Sequence, residues 1–125
     1  MADVLLTHSN HLYSDSKQVK KMQPYPPLQT LLAAAALRER GFSVALFDTT
    51  FNAPGEGFAA ALEAHRPRLA IVCEDDFNFI SKMCLGRNRE VAFSMAATAG
   101  AKGIPIAAHG SDASDHVPEY LEAGF

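Results

Sequence analysis

The chain has 125 residues, 48% of them hydrophobic, and a formal net charge of −3. That length and composition describe one folded domain with a real core and exclude a disordered chain. There is no basic arm or stripe, which argues against nucleic acid as a partner, and no apolar run approaches the length needed to span a bilayer.

The start "MADVLL" lacks the basic region and long apolar run of a signal peptide. Cys73 and Cys84 form no C-x-x-C pair, so both read as reduced thiols and a cytoplasmic location is expected. "DVLLT" is the first element, a short buried strand. A polar stretch follows from His8 to about Tyr25, with Lys17, Lys20 and Lys21 as a solvated face. A connection of that length in a compact domain is functional or disordered. "PPLQTLLAAAALRERG" then reads as a helix. Pro27 opens it, Leu28, Leu31, Leu32 and Ala35 share one face, Arg38 and Arg40 suit the negative end of the dipole, and Gly41 stops it. "FSVALFD" is a second strand. "EGFAAALEAHRP" is a short helix with Phe58, Ala61 and Leu62 inward, ended by Pro67. "RLAIVC" is a third strand. A helix spans Arg87 to Lys102, with Val91, Met95 and Ala99 inward and Gly103 as cap. "IPIAA" is a fourth strand, and Pro118 to Ala123 a last short helix.

Strands alternating with helices imply a parallel sheet with right-handed crossovers. The expected architecture is a three-layer, flavodoxin-like (Rossmann-like) α/β domain over residues 1–125, strand order 2-1-3-4, stopping before a fifth strand. Val4, Leu5, Leu6, Val44, Leu46, Ile71, Val72, Ile104 and Ile106 form the expected sheet core.

In such a sheet, ligands bind beyond the carboxyl ends of the strands. The loops there read "HSNHLY", "DTTFNAPGEG", "EDDFNF" and "HGSDASDH", and they hold His8, His11, His109 and His116, four of the five histidines. His65 falls near a helix end and reads as exposed. A dinucleotide site would need G-x-G-x-x-G after the first strand, where this chain has "THSNHL"; Asp48 then caps a turn instead of holding a ribose. A P-loop is missing in the same way. His8, His11, Glu74, Asp75, Asp76, His109 and Asp112 offer metal-ligand atoms, but no H-x-x-x-H or H-E-x-x-H spacing fixes two of them. A phosphoacceptor receiver would need acids after the first strand and a lysine after the fourth, and neither is present. A large polar cofactor lying across several loops remains, along with a generic interaction or small-ligand domain. Composition alone does not choose the cofactor. Phe77 and Phe79 suit an apolar ligand face, closure of the core end or a surface awaiting a neighbouring domain, and the stretch "SKMCLGRNRE" with Met83, Cys84 and Leu85 suits either a plain helix entrance or a docking surface.

"YPPLQTLLAAAALRERGFSVALFD" resembles the N-terminal cobalamin-binding domain of B12-dependent radical SAM enzymes. Tyr25, Pro26, Pro27, Leu28, Leu37, Arg38, Gly41 and Asp48 match a pattern of Y-P-P-L, an alanine-rich helix closing in L-R-x-x-G, and a strand ending in Asp. "HGSDASDHVPEYLEAGF" is similar to that family's fourth-strand segment, with Gly110, Pro118, Glu119, Leu121 and Gly124 in correspondence. The resemblance implies a cobalamin site built from Thr7, His8, Ser9, Asn10, His11, Tyr25, Pro26, Glu74, Asp75, Asp76, His109, Gly110, Ser111 and Asp112. It also implies a partnership with a radical SAM domain of the same protein. The D-x-H-x-x-G motif, whose histidine ligates cobalt in other branches, does not occur here. Leu6 and Ser9 stand two residues before His8 and His11, where that motif has its aspartate. Neither histidine is therefore expected to ligate cobalt. The C-x-x-x-C-x-x-C motif for a 4Fe-4S cluster is also missing. The cluster and S-adenosylmethionine would then belong to sequence beyond Phe125, and the 125 residues would not catalyse radical chemistry alone.

Overall fold

β1 (Val4–Thr7) is buried at all four positions, the mark of a central strand covered on both faces. A computed structural model describes residues 1–74 and 85–125. Its elements after β1 are a 3-10 turn (Leu12–Ser14), α1 (Ser16–Lys21), α2 (Leu28–Glu39), β2 (Val44–Phe47), α3 (Glu56–His65), β3 (Leu69–Cys73), α4 (Leu85–Ala101), β4 (Ile106–His109), α5 (Ser111–Asp115) and α6 (Val117–Glu122). The four strands form an all-parallel sheet in the order β2-β1-β3-β4, the flavodoxin-like arrangement. Val4 pairs with Val44 on one side and Leu69 on the other, and Cys73 pairs with His109, so the strands end together.

One face of the sheet packs Leu5, Ala45, Ala70, Val72 and Ile106 against Phe58 and Leu62 of α3 and Val91, Ala92, Met95, Ala96 and Ala99 of α4. Tyr120 of α6 joins this cluster, edge-on to Phe93 at 5.0 Å. The other face sets Val4, Leu6, Val44 and Ile71 against Ala33, Ala34 and Leu37 of α2. The Thr30 hydroxyl donates to the Cys73 carbonyl at 2.9 Å and fixes α2 to the end of β3.

The structure shows which face of α2 meets the sheet and corrects one expected core residue. α2 turns Thr30, Ala34 and Leu37 to the sheet, while Leu28, Leu31 and Leu32 are 58%, 40% and 59% exposed and Ala35 is exposed. Small side chains let the helix lie close to the strands, and the leucines point away. Each leucine left about half in water forgoes about 1 kcal/mol of burial. Leu46, expected in the core, lies on edge strand β2 and is also exposed, lining an open cleft with Thr30 and Leu31 of α2. Val44, Ile71 and Ile104 are partly buried; the other expected core residues are fully so. The polar run after β1 holds α1, started by Asp15, whose carboxylate accepts the Lys17 and Gln18 amides. Part of "HGSDASDH", expected as loop, is the helix α5.

Candidate functional site

The lip is built where β1, β3 and β4 end. Thr7 is fully buried, and its hydroxyl donates to the Phe47 carbonyl at 2.8 Å and meets the Thr49 hydroxyl at 3.0 Å. This ties the last residue of β1 to the loop after β2. His8 follows, 3% exposed, with Nε2 2.8 Å from Asp48 Oδ1 and Nδ1 accepting the Asn10 amide at 3.2 Å. That pair of partners selects the tautomer protonated on Nε2, which donates to Asp48; the Thr49 amide also approaches Nε2, at 3.2 Å. The His8 hydrogen bond holds the Asp48 carboxyl well below the usual carboxylate range. Asp48 also accepts the Thr50 amide, so it does cap a turn, as its position after β2 predicts.

Ser9 is buried, and its amide donates to Glu74 Oε1 at 3.0 Å across the lip. The Glu74 amide in turn donates to the His109 carbonyl at 2.9 Å. Glu74 therefore binds the loop after β1 and, through its backbone, the end of β4. Burial pushes its carboxyl pKa up, and the Ser9 bond only partly offsets this. Gly110 closes the third side with φ 148° and ψ 168°, a conformation that only glycine enters readily. A Cβ there would stand 2.8 Å from Glu74 Cβ.

The remaining expected residues divide into groups. Asn10 and Ser111 lie partly exposed on the rim, and His109 is exposed, with Nδ1 3.9 Å from Cys73 Sγ. His11 bonds Ser14 Oγ through Nδ1 at 2.9 Å and stands edge-on to Tyr13, and burial lowers its pKa. Tyr25 and Pro26 lie on the β2 side of the lip. With Leu31, Leu46, Asp48 and Phe51 they line an apolar cleft of about 350 Å³ beside β2. Asp112 belongs to a clasp: Arg89 grips it at 2.7 and 2.9 Å, and the Tyr120 hydroxyl donates to it at 2.9 Å. Arg89 holds the Asp112 carboxyl below its ordinary value, while burial, then Asp112 itself, raises the Tyr120 phenol. Asp75 and Asp76 lie outside the described residues, as do Phe77, Phe79, Met83 and Cys84.

Reasoning from sequence missed Thr49, Arg89 and Tyr120. Arg89 meets Asp112 across 23 residues, a pairing that no local spacing announces. Among the described residues, no group of three or more His, Cys, Asp or Glu side chains is placed to hold a metal ion. No helix among them is long and apolar enough to cross a membrane. The lip can hydrogen-bond a polar ligand along Asn10, His109 and Ser111, while its two innermost ionisable groups, His8 and Glu74, are already engaged. The chain matches no family model, no curated protein and no solved structure.

Proposed function

We propose that the chain is a cobalamin-binding module that works beside a radical SAM domain and is not catalytic by itself. The observation that carries this reading is the convergence of the loops after β1, β3 and β4 on Glu74 in a parallel sheet of order 2-1-3-4. The matches at Tyr25–Leu28, Leu37–Gly41 and Gly110–Gly124 support the same assignment. The donor set fits the group. A corrin presents amide side chains, and the rim offers short polar side chains and exposed backbone to meet them. Asn10, His109 and Ser111 would hold the amides. Thr7, Ser9, Glu74 and Gly110 would keep the lip in shape from beneath. Bound cobalamin supplies a cobalt centre that carries alkyl groups. His8 has both ring nitrogens engaged, so it would orient Asp48 and the first loop and would not ligate cobalt.

Cobalamin is coloured, so the test is direct. Purified chain mixed with hydroxocobalamin should shift the pigment's visible spectrum and carry it through gel filtration. Free elution of the pigment at high micromolar protein would count against the proposal. The cleft of about 350 Å³ beside Tyr25 favours a second reading, a small-ligand or interaction domain that does not bind cobalamin. That reading requires the pigment to elute free.

A further inference from the structure

The outer side of α2 is an open apolar stripe. Leu28, Leu31, Leu32 and Ala35 form it, and Glu39 ends it. At about 100° per residue these five side chains fall within an arc of about 100°, almost opposite the Thr30, Ala34 and Leu37 side that faces the sheet. A helix apolar on opposite sides calls for two partners, and the sheet supplies one. We propose that the second is another copy of this chain, packed through α2 antiparallel about a two-fold axis.

The stripe is complementary to itself in that arrangement. With the axis between residues 33 and 34, Leu32 of one copy faces Ala35 of the other, a large side chain over a methyl, which allows close helix packing. Leu28 then faces Glu39. The first turn of α2 holds no acidic residue, and Pro27 provides no side-chain cap. Antiparallel pairing brings Glu39 of each copy to that end of the other helix, where the dipole favours negative charge. The nearby cations are turned away, since Arg38 donates to the Val44 carbonyl and Arg40 to the Ala36 carbonyl. Beside Leu31 the surface stays apolar through Tyr25, Leu46 and Phe51, so the contact extends past a single helix.

The test is sedimentation equilibrium of the 125-residue chain from about 1 to about 200 µM, a range that brackets a modest interface. A monomer–dimer equilibrium is expected. Leu32→Glu should give monomer throughout with unchanged far-UV circular dichroism, because Leu32 is exposed in the folded chain. Orientation is read from a pair of changes. Leu28→Glu alone sets two carboxylates face to face and should weaken association about tenfold or more, and Glu39→Lys alone should also weaken it. Combined, the two changes set the new carboxylate of one copy against the new ammonium of the other and should restore association. Parallel packing predicts no such rescue. A chain that stays monomeric at about 200 µM overturns the proposal and leaves the stripe to a different partner. A dimer indifferent to Leu32→Glu, or a double variant no better than the single ones, also overturns it.

Discussion

Replacing Gly110 by alanine tests how the lip is closed. The backbone there, at φ 148° and ψ 168°, lies in a region that costs a residue with a Cβ about 1 to 3 kcal/mol. The new methyl would also stand 2.8 Å from Glu74 Cβ, an atom fixed to the end of β3 that cannot swing aside as a side-chain tip would. Such overpacking costs about 1 to 3 kcal/mol more. The two together come to about 2 to 6 kcal/mol, and at about 4 °C per kcal/mol for a domain of this size the melting temperature should fall by about 8 to 24 °C. Circular dichroism during thermal and urea unfolding measures this directly. Two backgrounds separate the contributions. Glu74→Gly removes the clashing atom and leaves the backbone strain, whereas Glu74→Ala leaves both. Gly110→Ala should therefore cost about 1 to 2 kcal/mol less on the glycine background than on the alanine background. Equal costs on the two, or a loss below about 0.5 kcal/mol in the parent chain, would refute this account of the lip.

Arg89→Ala should destabilise the chain by about 2 to 3 kcal/mol, because Asp112 is only 11% exposed and loses a two-pronged charged partner. Asp112 is held below its ordinary 3.8, so this stabilisation is complete above that value and fades as pH falls through the lowered one. The gap between parent and variant in urea unfolding should narrow below about pH 4, and a gap constant to pH 2 would contradict it. Glu74 has the opposite sign. Its raised pKa makes the ionised carboxylate a burden at neutral pH that is relieved as pH falls through the raised value toward 4.5. Glu74→Gln, which keeps an acceptor for Ser9, should be more stable than the parent at pH 7 and lose that advantage near pH 4; a less stable variant at pH 7 would sink the argument. In a cobalamin-loaded sample, His8→Ala and His11→Ala should leave the cobalt absorption bands unmoved, and His8→Ala should cost about 2 kcal/mol of stability through its two partly buried hydrogen bonds. A band shift in either variant would identify an axial imidazole.

The strands were legible because central parallel strands read as unbroken apolar runs, as "VLLT" and "LAIVC" do. With the element order they implied the observed topology. The orientation of α2 was not legible. Its apolar residues surround the axis, so periodicity could not choose between the leucine side and the alanine side. What decides is a tertiary contact, the Thr30 hydroxyl on the Cys73 carbonyl, together with the close approach that alanines permit. α1 and α5 are short and polar, and they exist through an Asp15 cap and a glycine-led turn, not through a hydrophobic face. In the candidate site, Thr7 ends β1 and His8 through His11 follow it in the expected loop, whereas His109 ends β4 and Ser111 and Asp112, expected in a loop, lie in α5. Their division into rim, brace and clasp depends on contacts such as Ser9 to Glu74, which are 65 residues apart in sequence.

The register of β1 also shapes how the chain is made. Its neighbours are β2 and β3, with Val4 paired to Val44 and to Leu69, and every one of these pairings is parallel and lacks a hairpin to start it. On a ribosome adding roughly 5 to 20 residues per second, the most completely buried strand emerges before its partners and waits roughly 3 to 13 s for β3 to be synthesised. Until then four residues destined for full burial have no final partner on that side, and folding is paced by long-range closure and not by local turns. A chain of this topology depends on α2, which sets Ala34 and Leu37 against Val4 and Leu6, to shelter β1 in the interval.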